Sequence, residues 1–262
     1  MTFDLPAYLA RIGLNEMPAA NAEGLRILQR AHRLAIPFEN LDILLGHGIS
    51  LDPERIFDKL VRRRRGGYCF EQNALFLAAL HALGFEARAL LARVWLFATE
   101  TPPKTHQVIL VTLAGEEWIA DAGFGGSYTP PIRLAEGEAE SSDGARFRLI
   151  TDREHGWMLA RWGDEDWQPQ YSFTTDRVWP TDIAMANHFV STEPDSRFVT
   201  SMFVTTVLPH GFASLINRDY HRSSAKGDER SEISSAKMLQ LRLSLVFGID
   251  LTDLEIAALG QF

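Results

Sequence analysis

Sulfur nucleophiles are almost absent from this chain: Cys69 is the sole cysteine in 262 residues. One thiol excludes an intramolecular disulfide and any zinc site built from several thiolates, which suits a reducing compartment. Basic residues are also short, 26 Lys and Arg against 34 Asp and Glu, for a net charge of −8. A general nucleic-acid surface needs the opposite balance. No stretch reaches the roughly 18–20 uninterrupted apolar residues of a membrane span. The opening MTFDLPAYLARIGL lacks the basic segment and apolar core of a signal peptide. No segment repeats. The expectation is a cytoplasmic protein, monomeric or homodimeric, with neither nucleic acid nor membrane as partner.

What is present is an ordinary globular composition, 46% hydrophobic and 23% charged. The first third reads as helical. Residues 19–36 place Leu25, Leu28, Ala31, Leu34 and Ala35 on one face. Residues 53–62 open on Pro53 and repeat Ile56, Leu60 and Val61. Residues 69–84 are apolar on most sides, as in a buried helix that Gly84 stops. The period then falls towards 2. Strands are predicted over 86–99, 106–115, 116–124, 145–151, 156–162 and 166–173, with a tight hairpin at Ala114-Gly115-Glu116. Such spacing suits an antiparallel sheet or small barrel. AEGEAESSDGA (135–145) reads as a solvated loop. The last third is mixed, with a strand over 197–209 and an amphipathic helix over 234–248 between a Ser cap and a Gly stop. Helices, then strands, then a mixed segment make the fold class α+β in about three parts.

Cys69 lies in RGGYCFEQN (65–73), after two glycines and before the apolar helix. Gly66-Gly67 opens backbone angles closed to other residues. The first turn of the helix then offers Cys69 the positive end of a dipole and N–H groups free for an oxyanion. A thiol reacts as its thiolate, and an adjacent imidazole favours that form. His106 opens the run HQVILV, and Asp121 follows fifteen positions later in IADAGFGG, at the end of the next strand. Neighbouring antiparallel strands can join a base to its orienting carboxylate, completing a nucleophile–base–orienter set. Other readings stand beside this one. Free cysteine is often a small buried filler, His106 would serve equally as a strand end, and Asp121 before Ala-Gly as a turn former.

RGGYCFEQN, the TH of KTHQVIL and DAGFGGS together resemble the three signature segments of the arylamine N-acetyltransferases. IPFENLDI (36–43), GFEARALLARV (84–94) and FVSTEPDSRF (189–198) match in the same order. The resemblance implies a helical bundle over 1–85 carrying the nucleophile, an antiparallel β-barrel over 86–190 carrying His and Asp, and an α/β lid over 191–262. It implies a papain- and transglutaminase-like triad of Cys69, His106 and Asp121. Acetyl-CoA would acylate Cys69, and an arylamine, arylhydroxylamine or hydrazine would then take the acetyl group, without a metal. The family's acceptor-pocket positions fall on Phe38, Val94 and Phe124, joined by Phe203. Its CoA contacts fall on Pro103, Lys104 and Thr105 and on Gly125, Gly126 and Ser127. Arg65 matches a position that braces the catalytic loop through Glu39. Arg62–Arg64 read as a solvated helix end. Glu193 departs from a histidine common among relatives and implies only a changed surface near the lid. His188, His210 and the remaining histidines read as surface or structural.

Rival functions keep the same residues. An amide synthase or a longer-acyl-CoA transferase would use the same triad, and a papain- or transglutaminase-like hydrolase would pass the acyl group to water or a protein amine. A non-enzymatic binding module predicts that Cys69, His106 and Asp121 do not meet.

Overall fold

The computed structural model describes residues 3–262 apart from Phe97, Ser127, Ser142, Asp143, Asp164 and Lys226. Its first part is helical, and three of its helices open on a side chain that caps them. Asp4 caps α1 (Leu5–Arg11) by accepting from the Ala7 N–H, and Asn21 caps α2 (Ala22–Ala35) by accepting from Gly24. After the two-residue strand β1 (Phe38–Glu39) come α3 (Leu41–Leu44) and α4 (Pro53–Phe57), the latter capped by Asp52. A wider π-helical turn at Asp58–Arg62 leads to α5 (Cys69–Ala82), stopped by Gly84 at φ +82°.

The face α2 turns inward differs from the predicted apolar stripe. Leu25 and Leu28 are buried as expected, but Gln29, His32 and Arg33 take the inner positions beyond them, while Ala31, Leu34 and Ala35 are only partly covered. A buried polar row survives only where every group finds a partner. Here those partners belong to the site described below.

The barrel comprises β2 (Glu86–Val94), β3 (Lys104–Leu113), β4 (Glu116–Ala120), β5 (Ile132–Arg133), β6 (Gly137–Glu140), β7 (Arg146–Asp152), β8 (Gly156–Trp162) and β9 (Trp167–Phe173). Their order is β5-β4-β3-β2-β9-β8-β7-β6, with antiparallel pairing throughout. The two edge strands are consecutive in sequence, so the sheet curls back on itself into a nearly closed barrel. Leu90, Val108, Leu110, Phe147, Leu149, Tyr171 and Phe173 fill its interior. Ala114 and Gly115, both left-handed at φ +51° and +83°, join β3 to β4 in the tight turn that a twisted hairpin favours. β6 corrects the expected loop at 135–145. It is an edge strand in which only Ala139 is partly covered, so its sequence carries no apolar alternation.

The last part holds α6 (Pro180–Thr192), α7 (Arg197–Thr200), β10 (Phe203–Leu208), β11 (Gly211–Ile216), β12 (Asp219–Ser224), β13 (Gly227–Glu232), α8 (Ala236–Phe247) and α9 (Asp253–Ala258). The predicted strand over 197–209 begins as helical turn α7, because Ser196 caps it by accepting from Phe198. α8 runs from its Ser235 cap to Gly248 at φ +66°, as expected. β1 pairs with β10, Phe38 facing Thr205, so the first and last parts share one five-stranded sheet.

Candidate active site

Cys69 occupies the first position of α5, where helix N–H groups have no partner within the helix. Two ion-pair chains fix this start. Glu71 accepts from the Tyr68 N–H at 3.1 Å and from Lys59 Nζ at 2.8 Å, and Lys59 also reaches Asp42 at 2.8 Å. Arg65 pairs with Glu39 at 2.9 Å, as the resemblance implies, and also reaches Asp42 at 3.3 Å. The glycines act otherwise than expected, for neither Gly66 nor Gly67 has positive φ. They are needed for closeness: a Cβ on Gly66 would lie 2.4 Å from the Pro37 carbonyl oxygen, and one on Gly67 would lie 2.9 Å from Glu71 Oε2.

β3 presents His106 and the end of β4 presents Asp121. His106 Nε2–H donates to Asp121 Oδ2 at 2.7 Å, with both side chains almost wholly buried. Cys69 lines the same cleft as His106, and the two interact electrostatically. The Cys69 Sγ also lies 3.9 Å from the Thr105 carbonyl oxygen. Asp121 Oδ1 accepts from Asn73 Nδ2 at 3.0 Å, Gly123 N at 2.8 Å and Phe124 N at 3.0 Å. Phe124 and Tyr171 flank the imidazole, with ring centroids 5.2 and 5.3 Å away.

Electrostatics follow from this packing. Burial alone would lower the His106 pKa, but Asp121 and then Cys69 outweigh it and push it up to about 10. Burial alone would raise the Asp121 pKa, but His106, Asn73 and the Gly123 N–H hold the carboxyl below its usual range. The dyad is therefore an imidazolium–carboxylate pair at neutral pH.

A cleft of about 530 Å³ opens over Cys69 and His106. Phe38, Val94, Phe124 and Phe203 line it, as do Pro103, Thr105, Gly125 and Gly126. Lys104 is not among the lining residues; its ammonium donates to Thr174 at 3.4 Å. Ser127 lies outside the described residues. Glu193, expected only to alter the surface near the lid, lines the cleft itself, with Phe198 nearby. A second cleft of similar size, around Trp118 and Tyr128, contains none of the predicted site residues.

Several supporting residues escaped the sequence reading. Asn73 stands one turn after Cys69 on the same helix face, a spacing that could have revealed it. Its amide donates to the Gln107 carbonyl and to Asp121, and its oxygen accepts from Ala122 N. Gln29 accepts from the Asp121 N–H at 3.0 Å. Nothing in the local pattern of α2 announces that role. His32 is buried and neutral: Nδ1 accepts from the Tyr8 hydroxyl, Nε2–H donates to Gln72 Oε1, and burial lowers its pKa to about 3. Among the described residues no cluster of His, Cys, Asp and Glu could hold a metal ion, and no helix is long and apolar enough to cross a membrane.

Comparison with known proteins points one way. Residues 21–256 match the family model described as N-acetyltransferase. The arylamine N-acetyltransferase of Mycolicibacterium smegmatis is 40% identical, covering 97% of this chain and 94% of the relative. The arylamine N-acetyltransferase structure from Salmonella typhimurium superposes with a TM-score of 0.93 at 35% identity, covering both chains fully. The Mycobacterium marinum arylamine N-acetyltransferase solved in complex with CoA gives 0.91 at 36% identity, over 98% of each chain.

Proposed function

Because the chain belongs to the arylamine N-acetyltransferase family, we propose that Cys69, His106 and Asp121 move an acetyl group from acetyl-CoA to an arylamine, arylhydroxylamine or hydrazine in two half-reactions. The observation that carries this reading is the convergence of Cys69 and His106 in one cleft, with the imidazole bonded to a carboxylate that has four hydrogen-bond donors.

In the first half-reaction the Cys69 thiolate attacks the acetyl carbonyl of acetyl-CoA. The carbon–sulfur bond to CoA breaks, and the imidazolium of His106 gives its proton to the departing CoA thiolate. Free N–H groups at the start of α5 suit the transient oxyanion. Acetylation removes the negative charge that helped keep His106 protonated, so the imidazole is then a competent base. In the second half-reaction the amine attacks the thioester, His106 accepts its proton, and Cys69 leaves as thiolate. One thioester is exchanged for another in the first step, so that step needs little driving force.

The walls fit these substrates. Phe38, Val94, Phe124 and Phe203 offer an apolar slot for an aromatic acceptor beside the sulfur. Pro103, Thr105, Gly125 and Gly126 border the same opening and are the described residues proposed to meet CoA. Mass spectrometry of the intact protein mixed with acetyl-CoA and no amine tests the reading. One added acetyl group is expected, absent in Cys69→Ala and removed by an arylamine or hydrazine. Neither adduct nor released thiol with any short acyl-CoA would overturn it.

A further inference from the structure

Arg33 is 2% exposed, yet no carboxylate lies within ion-pairing distance among the described residues. Burying a guanidinium without a paired carboxylate is costly, and the cost shows as a pKa lowered by burial to about 10, still cationic at neutral pH. Its hydrogen bonds go to backbone: Nη1 donates to the Ala122 carbonyl at 3.4 Å and Nη2 to the Gly126 carbonyl at 3.2 Å. Those two carbonyls bracket Gly123, Phe124 and Gly125, the strip that both lines the cleft and supplies two N–H donors to Asp121.

We propose that Arg33 is a positioning residue for the acyl transfer: its fork pins the strip from Ala122 to Gly126 against Cys69, and its charge supports the Asp121 carboxylate without bonding to it. This rests on Cys69 being the nucleophile. The strip has almost no slack, since a Cβ on Gly123 would sit 2.8 Å from Cys69 Cα. A clamp on both sides of that glycine therefore sets how the cleft wall meets the sulfur. The guanidinium is also electrostatically coupled to Asp121 and Tyr128. The other titratable groups packed there are His106 and Tyr171, which meet Asp121, and the neutral His32 beside Arg33 on α2. Arg33 is thus a second cation, beside His106, that offsets Asp121. Gln29, one turn earlier on the same helix, accepts from the Asp121 N–H, so α2 holds the turn at both its start and its end.

The sole cysteine makes the test clean, because iodoacetamide can report on Cys69 alone. Arg33→Gln removes both the charge and the fork, so alkylation of Cys69 at neutral pH should slow roughly threefold and the acetyl-CoA burst about tenfold, as expected for a misplaced wall. Arg33→Lys keeps the charge but not the fork. Its alkylation should stay near the wild-type rate while the burst slows about tenfold. Wild-type alkylation and burst in folded Arg33→Gln would overturn the proposal, as would slowed alkylation or a wild-type burst in Arg33→Lys. Should Arg33→Gln not fold, Arg33→Lys decides by itself. If the wild-type protein is not acetylated by acetyl-CoA, the transferase reading fails on that result, and the alkylation rates still judge Arg33.

Discussion

Gly123 shows how tightly single residues constrain this site. A methyl group there would meet Asn73 Nδ2 at 2.6 Å and Cys69 Cα and O at 2.8 Å. Gly123→Ala is expected to cost about 1–3 kcal/mol of stability and to displace the nucleophile, read as a lower Tm together with loss of the acetyl adduct. His32 gives a pH prediction. Its folded pKa of about 3 lies below the ordinary 6.5, so between those values the unfolded chain binds one more proton. Stability from this residue is complete above pH 6.5 and is lost as pH falls towards 3, at about 1.4 kcal/mol per pH unit. His106 has the opposite sign: its contribution is complete below pH 6.5 and wanes as pH rises towards about 10. It is protonated in both states between pH 5 and 6.5 and leaves that window to His32. Urea unfolding at both pH values should show a shallower slope in His32→Gln, and equal slopes would refute the assignment. The three residues proposed for chemistry were legible because each sits in a short motif with its own local cues. Gln29, His32 and Arg33 were not, because a polar residue at a core position is indistinguishable from a surface one until its partner is known.

At the scale of elements, α5 is the part most dependent on charge. Lys59 in the π-helical turn is held between Asp42 and Glu71; burial alone would lower its pKa, but Glu39, then Glu71 and Asp42, outweigh it and raise it. Lys59→Met would leave Glu71 buried without a cation while Asp42 keeps Arg65, so it should destabilise by about 3–5 kcal/mol in chemical denaturation. A change under 1 kcal/mol would mean the ion pairs merely coexist. Several helices were legible from caps and stops, as Pro53, Gly84 and Ser235 illustrate. Elements on the margin were not. β6 has one half-covered side chain, and α7 is a single turn inside an apolar run whose alternation imitates a strand.

For the molecule as a whole, the decisive contacts join distant segments. Asn40 donates to the Phe198 and Ser201 carbonyls and accepts from Phe203 N, tying β1 to the α7–β10 corner. The Tyr68 hydroxyl donates to buried Asn187 on α6, holding that helix against the segment that carries the nucleophile. Tyr68→Phe would strand the Asn187 oxygen, so a loss of about 1–3 kcal/mol and faster amide exchange along α6 are expected. Unchanged exchange would show that α6 is held by its apolar face alone. The class α+β and the barrel were legible from the change of period after Gly84. The sharing of one sheet by β1 and β10 was not, since no local pattern encodes a pairing across so many residues.

The two-residue turn at Ala114-Gly115 also has a meaning in time. His106 and Asp121 are only 15 residues apart, and one hairpin brings them together. Hairpins close in roughly 1–10 μs. The Gln29–Asp121 and Asn40–Phe203 bonds close over separations of 92 and 163 residues, and non-local pairings of that kind are slow to form. During refolding the amides of β3 and β4 should gain protection from exchange ahead of those of α6. The base and its carboxylate can meet almost at once; the cleft that gives them a substrate waits for the two ends of the chain.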